Sequence, residues 1–582
     1  MAAPNRVAPV VKRRRAPRVE SLVVPKVADL ASTSEALVGL LEELGVEHAF
    51  GVVGGAIAPF CEALARSDIR YLHFRHETGA AFAALEASLA RERPTVVFVT
   101  NGPGVTNALT GVLAARWDGG RVLLVSAATS PAQRGRWAAQ ETSAYAFPTA
   151  GVLSAGALFH FAHGVEHPNE LAEIAARLRA GFARPEGFVA HLSLPISIQA
   201  APARRAKVVL RPTLPPAPDE ATVARTLDEL SGSRFAIWLG FGARHASAEA
   251  RRLAAVTGAA VVCSPRAKGV FPEDHPAFVG VTGVGGHATV DAFFARERPE
   301  HVLVLGTRLG EGTSFWSPVL EPTRGFVHVD VDADAIGVAY PHVPTLAIVS
   351  EIRAFARALA ARWDAPPIAW GALEGLPAPE PVAPREQGPV RPQAVMAAVQ
   401  RAFVDDGEAI VLSESGNAFA WANHHLRFTR PNRYRVSPGF GSMGHASAGV
   451  VGAAIALGGK AVAIVGDGAM LMQSEISSAV EHEAAAVWVV LNDARYGMPH
   501  QGMEALGWAP FGTRIPRADF VALARAVGAD GATVTNEDEL EDALARAKEA
   551  EVPFVVDVLV DPDERAPSGR RNESLLSQGR GE

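Results

Sequence analysis

The stretch that most constrains the fold lies between residues 461 and 500, where two short apolar runs flank a helical pattern. Ala461 to Val465 and Val487 to Leu491 have the composition of strands buried on both faces, which is typical of parallel sheets. Between them the apolar residues recur at the spacing of one helix. This combination predicts a βαβ unit in an open α/β sheet, and such sheets bind ligands at the carboxyl ends of their strands.

Polar residues follow both predicted strands. Gly466-Asp467-Gly468 comes after the first strand and Asn492-Asp493 after the second. Carboxylate oxygens suit Mg²⁺ or Ca²⁺, and Mg²⁺ usually shares phosphate oxygens. The predicted helix start near Ala469 offers N–H groups to the same anion. The stretch therefore predicts a site for a metal-bridged diphosphate. Two ordinary turns with solvated aspartates are the alternative at this point.

The order of these motifs resembles the thiamine diphosphate motif of the acetohydroxyacid synthase and 2-oxo acid decarboxylase superfamily. The resemblance implies thiamine diphosphate and Mg²⁺ as cofactors. It also implies Asp467, Asp493 and the backbone carbonyl of Arg495 as metal ligands. Asp493 stands where the superfamily usually has Asn, so it offers the same kind of oxygen with one more charge.

Further residues take roles by the same resemblance. Glu77 is similar to the glutamate that hydrogen-bonds the aminopyrimidine ring of the cofactor, although alone it could simply favour a helix start. Met443 is similar to the residue that bends the cofactor, and alone it would be an ordinary core methionine. His500 or Gln501 could handle protons of the substrate. The remaining implied cofactor contacts are Gly416, Asn417, Gly441, Gly466, Gly468, Ala469, Tyr496, Gly497 and Met498.

Three positions bear on the substrate. Thr100 stands where decarboxylases of the superfamily carry a histidine, and Gln140 resembles a segment at the active-site mouth. Gly502 stands where acetohydroxyacid synthases usually carry a tryptophan. The resemblance thus implies a carbon–carbon lyase or ligase that decarboxylates a 2-oxo acid and transfers the acyl unit to an aldehyde or ketone, as in acyloin or acetolactate synthesis.

Alternative functions remain open from the sequence. Within the same cofactor class, the chain could cleave a 2-hydroxyacyl-CoA or oxidise an acyl group, and a catalytically silent binding subunit is a further alternative. Gly439 to Gly444 also fits the GxGxxG pattern of dinucleotide-binding folds, although Ser437-Pro438 leaves no strand directly before it. Some relatives hold FAD in the central domain, but no motif here specifies it.

Alternating strands and helices, interrupted by two Pro-rich stretches, predict three doubly wound α/β domains with parallel sheets. The resemblance implies a pyrimidine-binding, a central and a diphosphate-binding domain. The predicted division is a basic disordered tail at 1–28, these domains at 29–200, 221–365 and 393–563, linkers at 201–220 and 366–392, and a loose C-terminal tail at 564–582.

Composition narrows the partners and the compartment. The chain has 582 residues, a net charge of −7 and two cysteines, in different predicted domains, which excludes a disulfide framework and favours a reducing, cytoplasmic location. No apolar run reaches the roughly 18 residues of a membrane span. Seven basic residues lie in 1–28, but no other feature of the sequence supports nucleic-acid binding. We therefore expect neither a membrane nor a nucleic-acid partner. The resemblance implies a homodimer or homotetramer with active sites between subunits.

Overall fold

The computed structural model describes residues 31–580 apart from 208, 212–214, 372, 384 and 406. These residues form three domains, each with a six-stranded parallel sheet flanked by helices, which confirms the predicted fold class. The basic tail predicted at 1–28 lies outside the described residues. None of the helices in the described part is both long and apolar enough to span a bilayer.

The first domain opens with a capping box, in which Ser32 and Glu35 bind each other's backbone N–H at the start of the first helix. Its sheet has the strand order β3-β2-β4-β5-β7-β6. A short antiparallel pair, β1 and β8, closes the domain. The elements are β1 Ala31–Ser32, α1 Thr33–Glu43, β2 His48–Gly51, α2 Ala58–Ala65, β3 Arg70–His73, α3 Glu77–Arg91, β4 Thr95–Val99, α4 Pro103–Asp118, β5 Arg121–Ala128, β6 Phe161–Gly164, α5 Leu171–Phe182, β7 Phe188–Pro195, α6 Ile196–Gln199 and β8 Pro202–Ala203.

The central domain has the strand order β11-β10-β9-β12-β13-β14, which is the order of dinucleotide-binding sheets. Topology alone does not establish a nucleotide ligand. The elements are α7 Glu220–Leu230, β9 Phe235–Leu239, α8 Ser247–Thr257, β10 Ala260–Cys263, β11 Phe278–Val281, α9 Ala288–Glu297, β12 His301–Leu305, α10 Glu311–Ser314, β13 Gly325–Asp330, β14 Thr345–Val349 and α11 Ile352–Arg362.

The third domain has the strand order β16-β15-β17-β18-β20-β19. When the six strands of each sheet are counted along the chain, this is the same order as in the first domain. Its elements are α12 Pro392–Val399, β15 Ile410–Ser413, α13 Asn417–His425, β16 Tyr434–Arg435, α14 His445–Leu457, β17 Ala461–Gly466, α15 Asp467–Met472, α16 Ile476–Glu481, β18 Ala486–Asn492, α17 Gly497–Ala505, α18 Phe520–Ala526, β19 Asp530–Val534, α19 Leu540–Glu549 and β20 Phe554–Leu559.

The helix expected after the Gly-Asp-Gly turn is not continuous. It divides into α15 and α16, and Glu475, the last of the three residues between them, has a left-handed backbone with φ of 47°. A non-glycine residue in this region carries strain. The break turns the Glu475 side chain toward the first domain, a contact described below.

The first and third domains meet along α3 and α14. A Cβ on Gly452 of α14 would overlap the carbonyl oxygen of Ala83 on α3, so glycine permits the close approach of the two helices. In the same seam the Nε2 atom of buried His445 lies 2.8 Å from Oε1 of buried Glu86. The two domains are therefore joined by backbone contact and a buried charged pair.

The prediction of a loose C-terminal tail is wrong over the described residues. Gly569–Arg580 forms a helix, α20. Arg570 pairs with Asp291 of the central domain, and both Ser574 and Gln578 donate to Oε1 of Glu311. Polar composition suggested a solvated tail, but here the polar side chains serve as the docking contacts.

Candidate active site

The carboxyl ends of three adjacent strands, β15, β17 and β18, converge as the sequence predicts. Asn417 follows β15, Asp467 follows β17 and Asp493 follows β18. A Cβ on Gly497 would lie 2.8 Å from Asn417 Nδ2 and 3.0 Å from Asp493 Oδ2. The loops can approach this closely only because position 497 has no side chain.

The two aspartates at this point have unusual electrostatics. Burial raises the pKa of Asp467 to about 6, although hydrogen bonds from the backbone of Gly468, Ala494 and Arg495 oppose it. Burial and the neighbouring charge of Asp467 raise the pKa of Asp493 to about 7. Two carboxylates that are costly to ionise together are stabilised by a cation between them.

The donor set fits a Mg²⁺ ion that shares a diphosphate. Oδ1 of Asp467 accepts from the N–H of Gly468 at 2.7 Å, whereas the buried Oδ2 has no partner among the described residues. Among the described residues, no three or more His, Cys, Asp or Glu side chains lie together as a site that could hold a metal ion by themselves. Mg²⁺ takes about six oxygens and retains water and phosphate ligands, so two carboxylates and a carbonyl are a suitable protein share.

A second group of predicted cofactor residues surrounds the turn at Gly468. A Cβ at this position would lie 2.5 Å from Tyr496 Cε1 and 3.6 Å from Met443 Cε. Tyr496 and Met443 thus both approach the Gly466-Asp467-Gly468 turn. Of the other predicted contacts, Gly416 and Gly441 adopt positive φ, Gly466 ends β17, Ala469 is buried in α15, and Met498 packs on the core of the third domain.

Glu77 begins α3 in the first domain and is 9% exposed. Its Oε2 accepts from Asn107 Nδ2 at 3.0 Å, and Gly104 lies beside its other oxygen. Both neighbours belong to the segment TNGPGVTN at residues 100–107, which begins with Thr100. Within the described residues no hydrogen bond joins Glu77 to Asp467 or Asp493, so the two predicted halves of the site are not connected directly in one chain.

Sequence reasoning missed Glu475. Its carboxylate accepts from the backbone N–H groups of Arg75 at 3.1 Å and His76 at 3.0 Å, directly before Glu77. Ser478 Oγ donates to it at 2.5 Å. The third domain thereby holds the turn before Glu77. The only signal in the sequence was a glutamate directly before Ile476, where the helix pattern resumes.

The predicted substrate residues occupy separate places. Thr100 donates to Asn101 Oδ1 at 3.1 Å, and Asn101 in turn donates to the carbonyl of Gln140 at 2.8 Å. Gln140 lines a cavity of about 390 Å³ together with Gly102, Pro103 and Trp137. Gly502 does not line this cavity. It faces the C-terminal helix, with Asn572 Oδ1 and Arg571 Nη1 3.6 and 3.8 Å from its Cβ position.

His500 and Gln501 lie on α17 and are both nearly buried. His500 Nδ1 is 2.8 Å from Thr513 Oγ1. The amide of Gln501 accepts from Asn417 at 3.3 Å and from the N–H of Ala566, and it donates to the carbonyl of Glu564. Gln501 therefore links the loop that carries Asn417 to the C-terminal segment. The sequence did not indicate this structural role.

Three parallel-sheet domains, with paired carboxylates in one and a helix-initial glutamate in another, define a class of cofactor-dependent enzymes, and comparison with known proteins identifies the family. Residues 31–147 match the N-terminal TPP binding domain of the thiamine pyrophosphate enzymes, 223–359 the central domain and 414–558 the C-terminal TPP binding domain. The chain belongs to the thiamine pyrophosphate enzyme family, within its acetohydroxyacid synthase-like superfamily, and is a thiamine diphosphate-dependent enzyme.

Relatives match along almost the whole chain. The putative thiamine pyrophosphate-containing protein YdaP of Bacillus subtilis (strain 168) is 28% identical over 92% of this chain and 93% of its own. The acetolactate synthase isozyme 1 large subunit of Escherichia coli (strain K12) is 26% identical over 94% and 97%. A thiamine diphosphate-dependent 4-hydroxybenzoylformate decarboxylase of Rhodococcus jostii RHA1 has the same fold, with a TM-score of 0.80 and 20% identity over 92% of this chain and 100% of its own.

Proposed function

We propose that this chain is a thiamine diphosphate- and Mg²⁺-dependent carbon–carbon lyase or ligase. It would remove CO₂ from a 2-oxo acid and join the remaining acyl carbon to the carbonyl carbon of an aldehyde or ketone, whose oxygen takes up a proton. The observation that supports the proposal is the pair formed by buried Asp467, whose Oδ2 has no partner among the described residues, and partly buried Asp493. Met443 and Tyr496 both lie near the turn that carries Asp467. The bound cofactor supplies the electron sink for the loss of CO₂.

Each residue would do a separate task. Asp467, Asp493 and the carbonyl of Arg495 would hold Mg²⁺, and the unpartnered Oδ1 of Asn417 is available to the same polar cluster. Met443 would support the cofactor from below. Glu77 would hold a proton at the aminopyrimidine ring, with its own position fixed by Asn107.

We further propose that two copies complete each site, with Glu77 from one subunit and the metal ligands from the other. Exposed apolar side chains flank both halves, as a subunit contact would require. Leu471 and Met472, directly after the metal-binding turn, are 51% and 55% exposed, and Trp137 and Tyr145, near Gln140, are 92% and 78% exposed.

The test is a calorimetric titration of apo-protein with thiamine diphosphate, with and without Mg²⁺. Wild type should bind tightly only with Mg²⁺, and Asp467→Ala should lose that dependence. The loaded wild type should then release CO₂ from a panel of 2-oxo acids. Equal binding without Mg²⁺, or unchanged binding in the variant, would disprove the assigned metal site.

A further inference from the structure

The central domain presents an unusual sheet edge to solvent. β14, Thr345–Val349, is the last strand of its sheet, with β13 as its neighbour. Residues 343–350 contain no charged side chain. Ala347 and Val349 are both exposed, Val349 to 48%. An exposed and uncharged edge strand is open to pairing with a further strand.

The other five edges of the three six-stranded sheets are protected. Three of these edge strands contain an ionisable side chain and the other two are buried, and both features prevent unwanted pairing. The ionisable residues are Arg70 in β3, His163 in β6 and Asp530 in β19, and the buried strands are β11 and β16. In β11, the carbonyl of Phe278 also accepts from the N–H of Leu376 at 2.7 Å. β14 has neither kind of protection.

The backbone groups on the outer side of β14 form a regular row. The N–H of Ser350 donates to the carbonyl of Asp330 on β13 at 2.9 Å, so the even-numbered positions of this strand face β13. Since alternate residues of a strand bond to the same neighbour, the N–H and C=O groups of Thr345, Ala347 and Val349 point away from β13. Within the part of the chain that the structure describes, these groups make no backbone hydrogen bond.

The strand is complementary to a reversed copy of itself. With a two-fold axis at Ala347, Thr345 of each copy faces Val349 of the other. Each facing pair can exchange two N–H···O=C bonds, which gives about six bonds in all. The pairing places no like charges opposite each other, and it closes with two copies because both use the same surface. A second copy of this chain therefore fits the edge.

We propose that β14 pairs antiparallel with β14 of a second copy, so that two central domains share one continuous sheet. Exposed apolar side chains beside the strand extend the contact, since Val319 and Val338 are 43% and 67% exposed. The segments that carry them are joined by a hydrogen bond of 3.4 Å from the Tyr340 hydroxyl to the carbonyl of Ser317. This contact uses none of the candidate active-site residues, so it is independent of the proposed function. Together with the shared active sites proposed above, it would give a tetramer.

The first test is a disulfide across the two-fold axis in the full-length protein. In a hydrogen-bonded antiparallel pair the two Cα atoms at position 347 would lie about 5.5 Å apart, which a disulfide can span. Ala347→Cys should therefore form a covalent dimer on mild oxidation, seen on a non-reducing gel. The native Cys61 and Cys263 are both buried and should give little background. Thr533→Cys is the matched control, because Thr533 is an exposed residue of the edge strand β19.

The second test is the mass of the assembly in solution, measured by light scattering. Ala347→Lys places two like charges opposite each other at the axis. It should halve the wild-type mass, from about four chains of 61.1 kDa to about two, and leave kcat per chain unchanged. Thr533→Lys should keep the wild-type mass.

Three results would each overturn the pairing. They are no covalent dimer from Ala347→Cys, equal crosslinking of Thr533→Cys, and an unchanged mass of folded Ala347→Lys. The cysteine variant keeps the test decisive if the lysine variant does not fold. Neither measurement depends on CO₂ release, so a failure of the proposed function would be seen separately.

Discussion

Glu475 offers the sharpest test of how one domain prepares a residue of another. Its carboxylate is 6% exposed and accepts two backbone N–H groups that directly precede Glu77. Glu475→Ala would leave both donors without a partner at the junction of two domains. An unsatisfied buried donor costs about 1–3 kcal/mol, so the loss of a partner for two donors should destabilise this contact by about 2–6 kcal/mol.

The effect on catalysis should be selective. The substitution leaves the proposed metal ligands Asp467 and Asp493 untouched, so we expect the Mg²⁺ dependence of cofactor binding to persist in Glu475→Ala. The turn before Glu77 would shift, and misplacing a catalytic group by about 1 Å can lower the rate about 100-fold. We therefore expect kcat to fall by about 10- to 100-fold, measured as CO₂ release at saturating cofactor and Mg²⁺. Glu475→Gln, which keeps one acceptor oxygen, should lie between.

Glu481→Ala is the matched control. Glu481 pairs with the side chain of Arg75 at 2.7 Å across the same domain contact, but both partners are more than 40% exposed. Such a surface pair is worth about 0–1 kcal/mol, so this variant should unfold at nearly the urea concentration of wild type and keep its kcat. If Glu475→Ala is no more impaired than Glu481→Ala, the reasoning about Glu77 is refuted.

Three further outcomes follow from the geometry. Gly497→Ala should weaken Mg²⁺-dependent cofactor binding in calorimetry, because its Cβ would lie within 3.0 Å of both Asn417 and Asp493; unchanged affinity would contradict the convergence of these loops. Glu77→Gln and Asp467→Ala should each be inactive, yet regain CO₂ release when co-expressed, whereas no recovery would contradict sites shared between subunits. Burial alone would lower the pKa of His445, but the Glu86 carboxylate outweighs it and raises that pKa. The stabilisation is therefore complete below about pH 6.5 and is lost as the pH rises through the folded-state value, so the thermal midpoint of wild type should fall more steeply toward pH 9 than that of His445→Gln.

The sequence predicted the sheet edge that carries Asp467 and Asp493 because its signals are local. The strands β17 and β18 were expected within one residue of their observed ends, and parallel pairing places their carboxyl ends side by side. Asp467 and Asp493 therefore had to be neighbours once the βαβ unit was accepted. Gly497 between them is also part of a continuous motif.

The contacts that sequence reasoning missed join residues far apart in the chain. Glu475 binds the backbone 400 residues earlier, and backbone N–H groups carry no residue-type signal. Gln501 was expected to handle protons, a role that stays a prediction, and its tie to Ala566 became visible only with the C-terminal segment in place. The docking of α20 depends on Asp291 and Glu311, which the sequence gave no reason to pair with it.

The shared strand order of the first and third domains has a consequence for how the catalytic parts arose. In each domain the second strand along the chain, which lies at the edge of the sheet, leads into the helix of the common seam, as β3 leads to α3 and β16 to α14. Glu77 stands at the start of α3, and Met443 lies two residues before α14. Two residues with different proposed roles toward the cofactor thus occupy corresponding positions of one repeated topology. A duplicated fold that diverged at a single equivalent loop could supply both the activating acid and the supporting thioether.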